Sequence, residues 1–380
     1  MYRTHRTLSL LIALLLTASA CSDETGTIDD GTDVGWEFGD DIGADTAPSE
    51  NSHNDQPGPN GQTEPNDEPE PNDQPGPNDE PGPNDEPGPD PVSDVYVGTA
   101  DPYGPGDLSV DVHEVEDSPV PIWIFEPETD EPLPVVVFQH GFYMRPVFYS
   151  DLLTRVASHG FVVVAPLMYA APNLPPSIED EVEAVSELYD WLADHLEDHV
   201  DAELRLDLMG FSGHSRGAKI LWLSLRDEPR DHLAVANVDP VDGAGSAFLP
   251  QPRVLDDPPT FTAPSLVLGT GLGPEPGDFF APACAPEDDN YVDFFDALTN
   301  TAWKVIAVEY GHLDMLDDTT ENCFGACDAC VDGPDRATMR QLTGGMMVAL
   351  FRGALQGDTA AFDILSDSGN APTDVEIESQ

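Results

Sequence analysis

The stretch LDLMGFSGHSRGAKILWLSL, residues 206–225, decides the fold. Leu206 to Ser212 reads as a buried strand and Arg216 to Leu225 as a helix with an apolar face. Between them lies Gly213-His214-Ser215-Arg216-Gly217, a G-x-S-x-G pentapeptide. Strand, sharp turn with serine at the tip, helix is the context of a nucleophile elbow. The turn brings strand and helix backbones too close for a Cβ on either side of the serine, which accounts for both glycines.

The surrounding chain repeats this alternation. Leu108 to Val115 and Pro121 to Phe125 read as antiparallel strands. Pro134 to Gln139 (PVVVFQ) and Phe161 to Ala165 (FVVVA) are continuous apolar runs, as in strands buried on both faces. Phe148 to Ser158 and Ile178 to Leu196 read as helices, the second long and amphipathic. Leu233 to Val238, Pro264 to Gly269 and Trp303 to Val308 are further strands, and Met339 to Leu355 is a closing helix. The expected class is α/β, with a mostly parallel central sheet and helices on both faces. The segment 358–380 reads as an acidic C-terminal tail.

Ser215 needs a base, an orienting acid and an oxyanion site. In such a fold the partners follow in the order serine, acid, histidine, each after a strand. His312, in Tyr310-Gly311-His312-Leu313, is the one histidine that follows the last predicted sheet strand. His140 and His214 sit beside the machinery in places that suit structural hydrogen bonds. Asp239, in Val238-Asp239-Pro240-Val241-Asp242-Gly243, is the expected acid, with Asp242 its rival on the same loop. The acid usually stands one strand later, but there Gly269-Thr270-Gly271-Leu272-Gly273 has no carboxylate before Glu275. Asp314, Asp317 and Asp318 flank His312, and a Ca²⁺ site is the alternative reading of those three. The oxyanion donors are expected to be the N–H groups of Arg216 and, after the strand ending at Gln139, of Phe142. The serine mechanism needs no metal or organic cofactor.

Cys284, Cys323, Cys327 and Cys330 are candidates for two disulfides of open pairing. A C-x3-C-x2-C run with one distant cysteine is not a standard zinc spacing. Residues 1–20 have a basic start, an apolar core from Leu8 to Leu16 and small residues running into Cys21. That is the pattern of a lipoprotein signal peptide, with Cys21 as the lipidated residue. Residues 21–94 form an acidic, proline-rich tether, in which Asn54 to Pro91 repeats units like PNDEPG. One sign of charge and few apolar side chains leave no core to build. Extended, such a segment reaches on the order of 200 Å. The expected location is the bacterial cell envelope, on the outer membrane, with the hydrolase domain at 95–357.

The formal net charge is −59, from 73 acids and 14 bases. Residues 22–95 hold 22 of the acids and no Lys or Arg; residues 96–380 hold the other 51, with 12 of the bases. A folded part this acidic repels nucleic acid and anionic headgroups. The reading is a solvated surface suited to a salty medium, on a monomer that meets no nucleic acid.

Seven stretches carry a resemblance: PVVVFQHGF (134–142), ASHGFVVVAP (157–166), GHSRGAK (213–219), DPVDG (239–243), GTGLG (269–273) with CAP (284–286), and YGHLDMLDD (310–318). In this order they resemble chlorophyllase and its bacterial relatives among the α/β-hydrolases. The resemblance implies the α/β-hydrolase fold, with Ser215 as nucleophile, Asp239 as acid and His312 as base, acting on a small-molecule or lipid-like ester. Ala218 departs from the pattern, since chlorophyllases often carry a second glycine there. Two other readings stay open: an inactive hydrolase-fold binding module at the cell surface, and acyl transfer or polyester hydrolysis on the same site.

Overall fold

The computed structural model describes residues 95–170, 173–243, 245–246, 249–277, 282–318 and 329–380. The expected signal peptide (1–20), the tether (21–94), Cys21, Cys323 and Cys327 lie outside the described residues.

Eleven strands are described: β1 (Val110–Val115), β2 (Ile122–Pro127), β3 (Leu133–Gln139), β4 (Val162–Pro166), β5 (Leu204–His214), β6 (Ala234–Val238), the two-residue β7 (Gly245–Ser246) and β8 (Leu249–Pro250), β9 (Ser265–Thr270), β10 (Ala302–Ala307) and β11 (Val375–Ser379). The α-helices are α1 (Ser150–Ser158), α2 (Ile178–His195), α3 (Arg216–Asp227), α4 (Tyr291–Ala297) and α5 (Arg336–Leu355). Nine strands form one sheet in the order β1-β2-β4-β3-β5-β6-β9-β10-β11. The six from β4 to β10 run parallel; β1, β2 and β11 pair antiparallel at the edges. This is the α/β-hydrolase fold expected from the sequence.

The two faces of the sheet build two cores. On β3, Val136 and Phe138 point to one and Val135 and Val137 to the other, as strand alternation requires. Helices α1 and α5 cover the first face, and α2, α3 and α4 the second. Helix α5 is apolar around most of its circumference and buried along its length, so it packs as a core helix. It starts at Arg336, three residues before the expected Met339, because the Asp335 side chain accepts from the amides of Ala337 and Thr338.

The closing segment corrects the sequence reading. Residues 358–380 are not a loose tail: Thr359–Ser366 forms a 3₁₀ turn, and β11 pairs with β10 in register from Trp303↔Ser379 to Ala307↔Val375. Within VEIES, Val375 and Ile377 alternate with Glu376 and Glu378. The pattern is a strand, but five residues long and masked by its acidity. Lys304 of β10 pairs with Glu378 at 2.6 Å. The carboxylates charge the outer edge, which discourages pairing with a further strand.

Candidate active site

The elbow is built as its glycines require. Strand β5 ends at His214, Ser215 turns with φ +54° and ψ −124°, and α3 begins at Arg216. A Cβ on Gly213 would stand 2.6 Å from the Ala218 nitrogen, and one on Gly217 would collide with the carbonyls of Gln139 and His140. Only glycine fits either position. The positive φ at Ser215 is a strained conformation for a side-chain-bearing residue, held by the amide of Ser215 donating to Val238 O at 3.1 Å.

His312 Nε2 stands 2.9 Å from Ser215 Oγ, and His312 Nδ1 stands 2.6 Å from Asp239 Oδ2. Nδ1 faces a carboxylate and so carries the ring proton; the Nε2 lone pair is left for the serine hydroxyl. Ser215 is 8% exposed, His312 5% and Asp239 wholly buried. The structure therefore brings together the three residues read as serine, base and acid.

Asp239 follows β6, yet its carboxylate is fixed by β9. Thr270 donates its amide to Oδ1 at 3.0 Å and its hydroxyl to Oδ2 at 2.7 Å. Strands β6 and β9 are neighbours, with Val238 opposite Leu268, so a turn at Asp239 (φ +39°) carries the side chain to the end of the next strand. Asp242 points elsewhere. It accepts from the amides of Val254 and Leu255 at 2.9 and 3.0 Å and pairs with buried Lys219 at 3.2 Å. The rival acid is thus a brace for the loop, because its oxygens are already taken.

The carboxylates after His312 each serve different partners and form no cluster. Asp314 Oδ2 accepts from Gly311 and Gly333 amides, both at 2.7 Å. Asp317 accepts from the Asp151 amide at the start of α1, and Asp318 pairs with Arg340. The Ca²⁺ reading of these three is overturned by that dispersal; among the described residues no group of His, Cys, Asp and Glu is placed to hold a metal.

Arg216, the first residue of α3, offers an N–H that the helix itself leaves unpaired. On the facing loop, the Gly141 N–H is spent on the Tyr149 hydroxyl at 3.1 Å, so the next amide, Phe142, is the loop's candidate donor. Around them stands an aromatic wall. Phe142, Tyr143 and Tyr169 meet edge to face, and the Arg216 guanidinium lies 5.9 Å from the Phe142 ring and 6.0 Å from that of Tyr169. Arg216 is held by Glu181 of α2 at 2.6 Å, an ion pair with both partners buried. Burial pushes the Glu181 carboxyl up, against the pull of Arg216. Burial likewise pushes His140 down to about 4, and His214 well below its ordinary value.

One disulfide is described, Cys284–Cys330. It joins the loop after β9 to the segment before α5. Thr270, Tyr149 and Glu181 escaped the sequence reading. Glu181 had a signal: it falls on the helical stripe Ile178, Val185, Leu188, Leu192, where a carboxylate requires a partner. Thr270 and Tyr149 carry no such mark, since their roles depend on strands and loops distant in sequence.

The sequence model of the family described as Chlorophyllase matches residues 98–380. Chlorophyllase-2 of Arabidopsis thaliana is 34% identical over 273 residues, covering 68% of this chain and 85% of that one. Chlorophyllase-1 of the same plant is 32% identical over 261 residues, covering 65% and 80%. The chloroplastic chlorophyllase-1 of Citrus unshiu is 33% identical over 264 residues, covering 67% and 78%. With the nine-stranded sheet and the elbow in place, the chain belongs to the chlorophyllase family of ester-hydrolysing α/β-hydrolases.

Proposed function

We propose that the chain is a serine carboxylic-ester hydrolase with Ser215 as nucleophile, His312 as base and Asp239 as orienting acid. The observation that carries this is the unbroken hydrogen-bonded line from Ser215 Oγ through His312 to Asp239. Ser215 Oγ attacks the ester carbonyl carbon while its proton passes to His312 Nε2. The N–H groups of Arg216 and Phe142 receive the oxyanion. Asp239, anchored by Thr270, balances the imidazolium and keeps its Nδ1 proton in place. Collapse breaks the C–O bond, and His312 returns the proton to the leaving alcohol. Water then attacks the acyl-serine, losing its proton to His312, and the acid departs as Oγ is reprotonated. The relatives are named for chlorophyll; for this chain the proposal covers esters, small or lipid-like, with chlorophyll as one member of the test panel.

The test is Ser215→Ala against p-nitrophenyl esters of several chain lengths. Turnover should disappear with the fold intact, and wild-type protein should take a fluorophosphonate label that the variant does not. Retained turnover refutes the mechanism; an unlabelled, inactive wild type favours a binding module.

The domain is further proposed to work outside the cytoplasm, tethered through a lipid on Cys21. The Cys284–Cys330 disulfide supports this, because such bonds persist in oxidising compartments. No helix among the described residues is long and apolar enough to cross a membrane. Cys21→Ser should move the protein from the membrane fraction to the soluble one.

A further inference from the structure

His214, directly before the nucleophile, takes no part in the proton transfers above, and neither does Tyr149. Both are wholly buried. His214 Nε2 lies 3.0 Å from the backbone oxygen of His312, which only accepts. Nε2 therefore carries the ring proton and donates it, leaving Nδ1 bare. The Tyr149 hydroxyl, 2.8 Å from Nδ1, donates to it. The same hydroxyl oxygen accepts the Gly141 N–H at 3.1 Å. Every hydrogen-bonding atom of the two side chains is used, in one consistent direction.

These contacts tie the neighbouring ends of β3 and β5 to the His312 loop, which the sheet sets apart from them. Gly141 follows β3, His214 ends β5, and His312 follows β10, which stands three places from β5. The base loop must reach back across β6 and β9 to Ser215. Asp239 holds the His312 ring, and His214 holds its main chain. The two imidazoles also lie together, ring centres 4.8 Å apart with 38° between planes.

We propose that Tyr149 and His214 form a positioning relay, setting the oxyanion loop and the base His312 at their working distance around Ser215 without touching substrate. This rests on the serine-esterase reading above. The relay has to be neutral, since His312 becomes cationic during each half-reaction. Burial, followed by the charge of His312, keeps His214 uncharged, and burial pushes the Tyr149 phenol up so that it keeps its proton. Gly141 belongs to the same device: a Cβ there would stand 2.8 Å from His214 Nδ1 and push the ring aside.

Tyr149→Phe deletes the hydroxyl and keeps the ring, with its edge contact to Phe138 at 4.9 Å. Rates are measured per active site titrated with fluorophosphonate, so loss of folded protein does not count. The expected result is a kcat lower by about 10- to 100-fold, with KM within about twofold, because misplaced catalytic groups act on the transition state. His214→Phe should match it. His214→Gln, whose amide both donates and accepts, should recover most of the rate. A filler role predicts a lower melting temperature with kcat per site unchanged, and that outcome overturns the relay. Where Tyr149→Phe does not fold, equal kcat in His214→Gln and His214→Phe overturns it instead. A wild type that takes no label removes the serine-esterase reading and this inference with it; a labelled wild type with unchanged Tyr149→Phe kinetics removes only the relay.

Discussion

Thr270 holds the Asp239 carboxylate by two hydrogen bonds across the boundary between β6 and β9, the amide to one oxygen and the hydroxyl to the other. A carboxylate that follows one strand is thus aimed by the next. Thr270→Val keeps the shape and the amide bond but removes the hydroxyl. A hydrogen bond to a charged group contributes about 1.5–3 kcal/mol. We expect kcat/KM to fall about tenfold or somewhat more, checked with a p-nitrophenyl ester at saturating and limiting concentration.

Asp239 and Asp242 should separate activity from stability. Asp239→Asn leaves His312 with the wrong ring tautomer facing Ser215, and such a change lowers kcat by about 10⁴ in the serine-protease precedent. Asp242→Asn instead leaves buried Lys219 without its counter-charge. Breaking a buried pair from one side costs about 3–5 kcal/mol. The expected outcome is an inactive, stable protein in the first case and an active, destabilised one in the second, read by kinetics and urea unfolding.

The Cys284–Cys330 bond closes a 46-residue separation, for which chain entropy allows about 4 kcal/mol. It also braces the loops after β9 and β10. Ala285 donates to Gly273 O at 3.0 Å, and Gly333 and Gly311 share Asp314. The double variant Cys284→Ser with Cys330→Ser should lose about 2–4 kcal/mol in denaturant unfolding. An unchanged midpoint would show that the loops hold without the bridge.

Asp317 offers a pH test. Burial, against the pull of the Asp151 amide, raises its carboxyl from 3.8 to about 6. The fold therefore prefers the neutral acid. Between pH 3.8 and about 6 the folded chain holds a proton the unfolded chain has lost, so this group's contribution to stability falls as pH rises through that window. Asp317→Asn keeps an acceptor for the Asp151 amide and does not titrate. It should be more stable than wild type above about pH 6 and lose that advantage by about pH 4, in paired urea titrations.

Glu181 and Arg216 form the buried pair behind the aromatic wall. Glu181→Gln strips the counter-charge from a guanidinium that lies against Phe142 and Tyr169. Stability should fall by about 3 kcal/mol. KM for bulky esters should rise more than KM for acetate esters, since the wall moves while Ser215 and His312 do not.

Much of this protein was legible along the chain, because its signals are local. The apolar runs of β3 and β4 and the glycines around Ser215 each need only neighbouring residues to be read. The order Ser215, Asp239, His312, each after a strand, followed from the same local signs. The acidic closing segment was misread because VEIES is short and its partner strand lies some seventy residues earlier. What the tertiary structure alone decided is which polar groups meet. It set Asp239 beside Thr270 and His312, and Asp242 beside Lys219. It paired Cys284 with Cys330, and it dispersed Asp314, Asp317 and Asp318 to separate partners. It also joined Tyr149 to His214 behind the elbow. A hydrogen bond depends on distances of a few tenths of an ångström between strands and loops far apart in sequence, and only the packed sheet fixes those distances. The pentapeptide at 213–217 determined where the chemistry sits; the sheet determined which groups can take part in it.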